Sequence, residues 1–217
     1  MKIGNVEVQL YRKNGYNSPA TNERTVEIPL GFYFLENYSD ALELGAVMPY
    51  YGAEKHEVWD LHDPHKCCGR VDLEGDDFDV SGRAVFSIST IEHVGFNNYG
   101  GAGFLPREQW RRAFVLLQTI VQNASVYLLT YPLGYNIDLD ALVEAQCPNR
   151  IILRRINSRN TWEVDPTRST AYCYGTPQSR TLLANIGEEI IRGRAPARFN
   201  NANGLCLITN IEAFHEG

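Results

Sequence analysis

The chain reads as an α/β protein built on a mostly parallel sheet, and three observations predict it. Short runs rich in branched and aromatic residues recur at 41–47, 84–91, 125–130, 151–156 and 205–211, as in strands buried on both faces. A strong helical stripe, Trp110, Phe114, Leu117 and Val121, enters only after several such runs. Acidic residues stand at or near the ends of the first three strands: Glu43, Asp60 and Asp72.

Taken in order, residues 6–11 alternate with period two and Asn14-Gly15 supplies a turn, which predicts a peripheral strand or hairpin. Asn22-Glu23-Arg24-Thr25-Val26-Glu27-Ile28-Pro29 crowds three charges before an apolar stretch and reads as an exposed lead-in; because it enters the first core strand directly, the alternative is that Arg24 and the two glutamates reach a bound cofactor. That strand is 41–47, with Gly45 near its end. The second is 56–60, closing on Asp60, and the third is 71–73, with Asp72 at its exit. The fourth is 84–91 and runs into Glu92-His93-Val94-Gly95. The glycines of 97–103 suit a lid, and no Lys-Ser or Lys-Thr pair follows them to cradle a phosphate. A helix is predicted over 106–122, since Pro106 suits a first turn. A fifth strand follows at 125–130, a turn at 131–136, a short helix at 138–145, and closing strands at 151–156 and 205–211. Residues 180–192 are predicted helical. The expected organisation is an N-terminal extension over 1–38 and one domain over 39–217, with an insertion at about 167–200.

Composition narrows the function. A net charge of −6 and a sequence pI near 5.4 argue against nucleic acid as the main partner, because binding along phosphates needs a basic surface. No window is apolar enough for a membrane span and the start lacks the apolar core of a signal peptide, so no membrane association and a cytoplasmic location are expected. Five cysteines without a framework spacing suit reduced thiols. His62, His65, Cys67 and Cys68 fall within seven residues, but zinc ligands come as separated pairs held by a turn, and adjacent cysteines on an extended chain point apart. The stretch is read as a polar connection, with no metal expected. Oligomeric state is not legible.

The sites follow from the strand ends, since an open α/β sheet binds ligands beyond its carboxyl edge. Gly45 permits positive φ and close approach of a ligand backbone. Asp60 is placed to accept hydrogen bonds from a ribose diol. Glu92 and His93, a carboxyl and an imidazole at the mouth of a buried strand, are the candidate catalytic pair, with His93 as base and Glu92 orienting it or binding substrate. The competing role for both residues is to pin the loop.

These stretches also carry a resemblance. Residues 22–29, Leu42-Glu43-Leu44-Gly45-Ala46-Val47, His56-Glu57-Val58-Trp59-Asp60, Ser87-Ile88-Ser89-Thr90-Ile91-Glu92-His93-Val94-Gly95, Pro132-Leu133-Gly134-Tyr135-Asn136 and Ala202-Asn203-Gly204-Leu205 resemble the class I S-adenosylmethionine-dependent methyltransferases, and within them a group of small members. The resemblance implies a Rossmann-like open sheet of order 3-2-1-4-5-7-6 with helices on both faces. It implies S-adenosylmethionine as cofactor, with Glu43 and Gly45 near its methionine part, Asp60 and Leu61 at the ribose, Asp72 and Leu73 beside the adenine, and Ser89 lining the site. Arg24, Tyr135 and Asn136 are assigned to substrate binding. The expected acceptor is a small molecule or a glycan hydroxyl. Residues 43–48 lack the second and third glycines of the commonest first motif. That departure leaves open a non-catalytic adenosylmethionine-binding protein, and the shared sheet order leaves open a nucleotide-sugar or dinucleotide enzyme.

Overall fold

The computed structural model describes residues 1–13, 15–75, 78–96, 105–172 and 201–216. The proposed lid at 97–103 and helix at 180–192 lie outside them. Two short strands, β1 (Lys2–Ile3) and β2 (Val6–Glu7), pair antiparallel as a separate ribbon. The other eight strands form one sheet: β3 (Leu42–Leu44), β4 (Glu57–Trp59), β5 (Cys68–Gly69), β6 (Ala84–Ile88), β7 (Val126–Pro132), β8 (Ile151–Arg155), β9 (Trp162–Val164) and β10 (Gly204–Thr209). Their spatial order is β5-β4-β3-β6-β7-β10-β8-β9. The first five in that order run parallel, β10 enters antiparallel between β7 and β8, and β9 closes the edge antiparallel to β8. The architecture is a Rossmann-like α/β sheet.

Alternation along the central strands assigns the two faces. Phe86, Ile88, Leu128, Leu205 and Leu207 face one cluster, where Val26, Ile28, Leu30 and Phe34 of α1 (Arg24–Asn37) cover them. Val85, Leu129, Tyr131, Cys206 and Ile208 face the other, beneath Phe114, Leu117 and Ile120 of α2 (Arg112–Asn123) and Leu139 and Val143 of α3 (Ile137–Gln146). A strand buried on both faces reads as a continuous apolar run for this reason.

The structure corrects the sequence reading at four places. The N-terminal pair turns at Gly4 (φ +56°) and closes by residue 7, instead of extending to Asn14-Gly15. The third strand is Cys68–Gly69, because Val58 and Trp59 pair with these two residues and not with 71–73. The helix expected over 106–122 begins as a 3-10 turn at Arg107–Gln109 and becomes α-helical only from Arg112.

The fourth correction matters most for the site. Residues 24–37 are not an exposed lead-in but helix α1, with Glu23, Arg24, Thr25 and Glu27 buried. Pro29 sits inside this helix, where a missing N–H leaves the carbonyl four residues back without its usual donor. That carbonyl belongs to Thr25, and the Tyr11 amide takes it at 2.8 Å. In return the Thr25 hydroxyl donates to the Tyr11 carbonyl, also at 2.8 Å. Tyr11, beyond the N-terminal strand pair, thus supplies the bond the proline cannot make.

Candidate active site

The loop leaving β3 is braced from behind. Oε1 of the fully buried Glu43 accepts the amides of Val47 and Met48, each at 2.9 Å, while Oε2 meets His56 Nε2 at 2.7 Å. Burial raises the Glu43 carboxyl above its ordinary value, and the bond to His56 opposes the rise. Glu43 therefore shapes the loop from the interior. Gly45 adopts φ +85°, and a Cβ there would fall 1.9 Å from Thr90 Oγ1. The space freed by the glycine holds Thr90, so the exits of β3 and β6 are locked together at this point.

Asp60, just past β4, joins the neighbouring loops. Its Oδ1 accepts the amides of His62 (2.7 Å) and Asp63 (2.8 Å), and Oδ2 accepts that of Ala46 (3.3 Å). With Leu61, Asp72, Leu73, Thr90 and His93 it lines a cavity of about 230 Å³.

The exit of β6 carries the densest chemistry. Ser89 holds φ +41°, a left-handed conformation costly for a non-glycine residue and concentrated at functional sites. Its hydroxyl donates to Glu27 Oε1 at 2.7 Å, as does that of Thr130 at 2.7 Å. Arg24 donates to Glu27 Oε2 and to the Ile88 carbonyl, both at 3.2 Å. Burial works against the charge on Arg24, yet Glu27, Glu23 and Glu92 together hold the guanidinium more firmly protonated than usual.

Glu92 is 1% exposed, and its Oε2 has no hydrogen-bond partner among the described residues. Burial pushes its carboxyl well above the ordinary carboxylate range, and the charge of Glu27 pushes the same way. His93 Nε2 stands 3.7 Å from Glu92 Oε1, and the ring packs edge-on against Tyr135 with centroids 4.8 Å apart. Burial, then the nearby Glu92, raises the Tyr135 phenol.

Three adjoining cavities share these residues. His93 lines all three; Asp60, His62 and Thr90 line the first and second, and Asn17, Arg24 and Ser89 the second and third. Glu92 and Tyr135 line the third. Of the residues singled out in the sequence, Asp60, Leu61, Asp72, Leu73, Ser89, Arg24, Glu92, His93 and Tyr135 thus face one trough. Glu43, Gly45 and Asn136 are not among the residues that line it. Asn136 is fully buried, caps α3 by accepting the Leu139 amide, and donates to the carbonyls of Glu92 and Trp110, so it positions the Glu92 turn instead of meeting a substrate.

The sequence reading missed Thr130, Asn17, Thr90 and the brace at His56. Only Thr90 had a visible signal, because it immediately follows Ser89 in the motif. No group of three or more His, Cys, Asp or Glu side chains among the described residues is arranged to hold a metal ion. No helix among them is long and apolar enough to cross a membrane.

No family model and no curated protein matches the chain. A solved DhpI-SAM-HEP complex is similar over 78% of this chain and 78% of its own length, at 14% identity and a TM-score of 0.31. A likeness that loose carries no argument about function.

Proposed function

We propose that the protein is an S-adenosylmethionine-dependent methyltransferase acting on a small-molecule acceptor. The observation that carries this reading is that Asp60, past β4, and His93, past β6, line one cavity on either side of β3. That is the point where strand order reverses, the usual ligand crevice of an open α/β sheet. Counted from β3 and leaving β9 aside, the strands stand 3-2-1-4-5-7-6, which supports the same family.

The residues present fit the cofactor. Asp60 would accept from the ribose hydroxyls, Leu61, Asp72 and Leu73 would flank the adenine, and Arg24 would face the charged amino-acid end. The cofactor supplies a methyl group on a cationic sulfur, and an acidic, partly dry trough stabilises such charge. For the rest, the chain's task is alignment of acceptor and methyl, with His93 taking a proton from the acceptor.

Calorimetry with S-adenosylhomocysteine, NAD and a nucleotide sugar tests the reading. Binding of S-adenosylhomocysteine alone is expected. In Asp60→Ala it should weaken by about 1–3 kcal/mol, the cost of leaving polar groups without acceptors. Preference for NAD or the nucleotide sugar would overturn the proposal.

A further inference from the structure

The third cavity is polar, about 520 Å³, and adjoins the others: it shares Arg24, Ser89 and His93 with the second and His93 with the first. Among the described residues its wall carries two carboxyls, Glu23 and Glu92, and one guanidinium, Arg24. Three buried carboxyls, Glu23, Glu27 and Glu92, surround one buried guanidinium, Arg24. Arg24 is committed to Glu27 and a backbone carbonyl, and Glu27 is further saturated by the hydroxyls of Ser89 and Thr130. Glu92 lines the cavity, and its buried Oε2 has no hydrogen-bond partner among the described residues. A buried polar atom of this kind is costly unless something supplies the missing bond.

Resting on the methyltransferase reading, we propose that the acceptor is a primary amine whose ammonium group binds Glu92 in this cavity. An ammonium there gives Glu92 Oε2 the donor it lacks and favours the ionised carboxylate that burial and Glu27 disfavour in the empty site. A neutral hydroxyl supplies a donor but no charge. His93 stands beside the carboxyl and lines every part of the trough, so it is placed to relay the proton. The ammonium loses a proton to His93 and becomes a neutral amine. Its lone pair forms the new N–C bond to the methyl carbon while the C–S bond breaks and its electron pair stays on sulfur. The products are a methylammonium compound and a neutral thioether.

A competing occupant is the cofactor's own α-ammonium group. Calorimetry separates the two with three amines, ethanolamine, 1,4-diaminobutane and glucosamine, and their hydroxyl counterparts ethylene glycol, 1,4-butanediol and glucose, each added to protein saturated with S-adenosylhomocysteine. At least one amine is expected to bind more tightly than its hydroxyl counterpart. In Glu92→Gln that amine should bind about tenfold more weakly or worse, since a charge-assisted bond is lost, while S-adenosylhomocysteine affinity is unchanged. Loss of S-adenosylhomocysteine binding in Glu92→Gln would assign the carboxyl to the cofactor and overturn the proposal. So would the absence of any amine preference in wild-type protein that binds S-adenosylhomocysteine. Failure of the wild-type protein to bind S-adenosylhomocysteine at all would instead remove the methyltransferase reading, and this proposal with it.

Discussion

The carboxylate of Glu43 and the imidazole of His56 meet at 2.7 Å behind the loop that leaves β3, both almost wholly shielded from water. Since the other oxygen of Glu43 holds two amides of that loop, the histidine secures the loop after β3 and is not among the residues lining the trough. His56→Ala removes the partner of a buried acceptor and is expected to cost about 1–3 kcal/mol. Urea unfolding reads the loss, and an unchanged midpoint would show that the pair does not brace the loop.

Gly45→Ala places a methyl group on Thr90 in a backbone conformation that side chains avoid. Overpacking of this kind costs about 1–3 kcal/mol, and the left-handed backbone roughly 1–2 kcal/mol more. Adding Thr90→Gly should recover the contact part alone. Full recovery in the double variant would mean that the conformation at Gly45 is unstrained.

Glu92 makes stability depend on pH with a definite sign. Its folded carboxyl lies well above the ordinary value because of burial and Glu27. The folded state therefore binds this proton more tightly than the unfolded chain. The resulting stability is fully present below the ordinary carboxylate range and is lost as pH rises through the elevated folded value. Glu92→Gln has no such proton to lose, so its advantage over wild type should be larger at pH 8 than at pH 5. Parallel unfolding curves for the two proteins across that interval would contradict the assignment.

His93→Ala distinguishes chemistry from loop-pinning. Loss of a positioned base lowers turnover by about 10²–10⁴-fold, with melting temperature and S-adenosylhomocysteine affinity near those of the wild type. A lowered melting temperature with turnover per folded molecule preserved would make His93 structural.

Local pattern was enough to read the sheet's core. Phe86, Ile88, Leu128 and Leu207 on one face and Val85, Leu129 and Ile208 on the other are apolar because both faces are covered, and such runs are legible without knowledge of the partners. Helix α1 was not legible. Pro29 and the branched Thr25, Val26 and Ile28 argue against a helix locally, and the bond that permits it comes from Tyr11, distant in sequence.

The site divides the same way. From sequence alone the chain determined that acids and one histidine stand just past strand ends: Asp60, Glu92 and His93. Strand ends share the carboxyl edge of a parallel sheet, so their nearness in space follows from the fold class. Only the tertiary structure decided what each side chain does there. Glu43 turned inward to His56, Gly45 made room for Thr90, and Asn136 bonded the carbonyls of Glu92 and Trp110, because each meets neighbours outside its own stretch of chain. Glu23, Arg24 and Glu27, charged residues that read as a solvated lead-in, became buried, the first two on the wall of the trough, because α1 closes over the sheet. Burial and the company of other charges give a carboxyl its protonation and its ligand preference, and neither can be read from its position in the sequence.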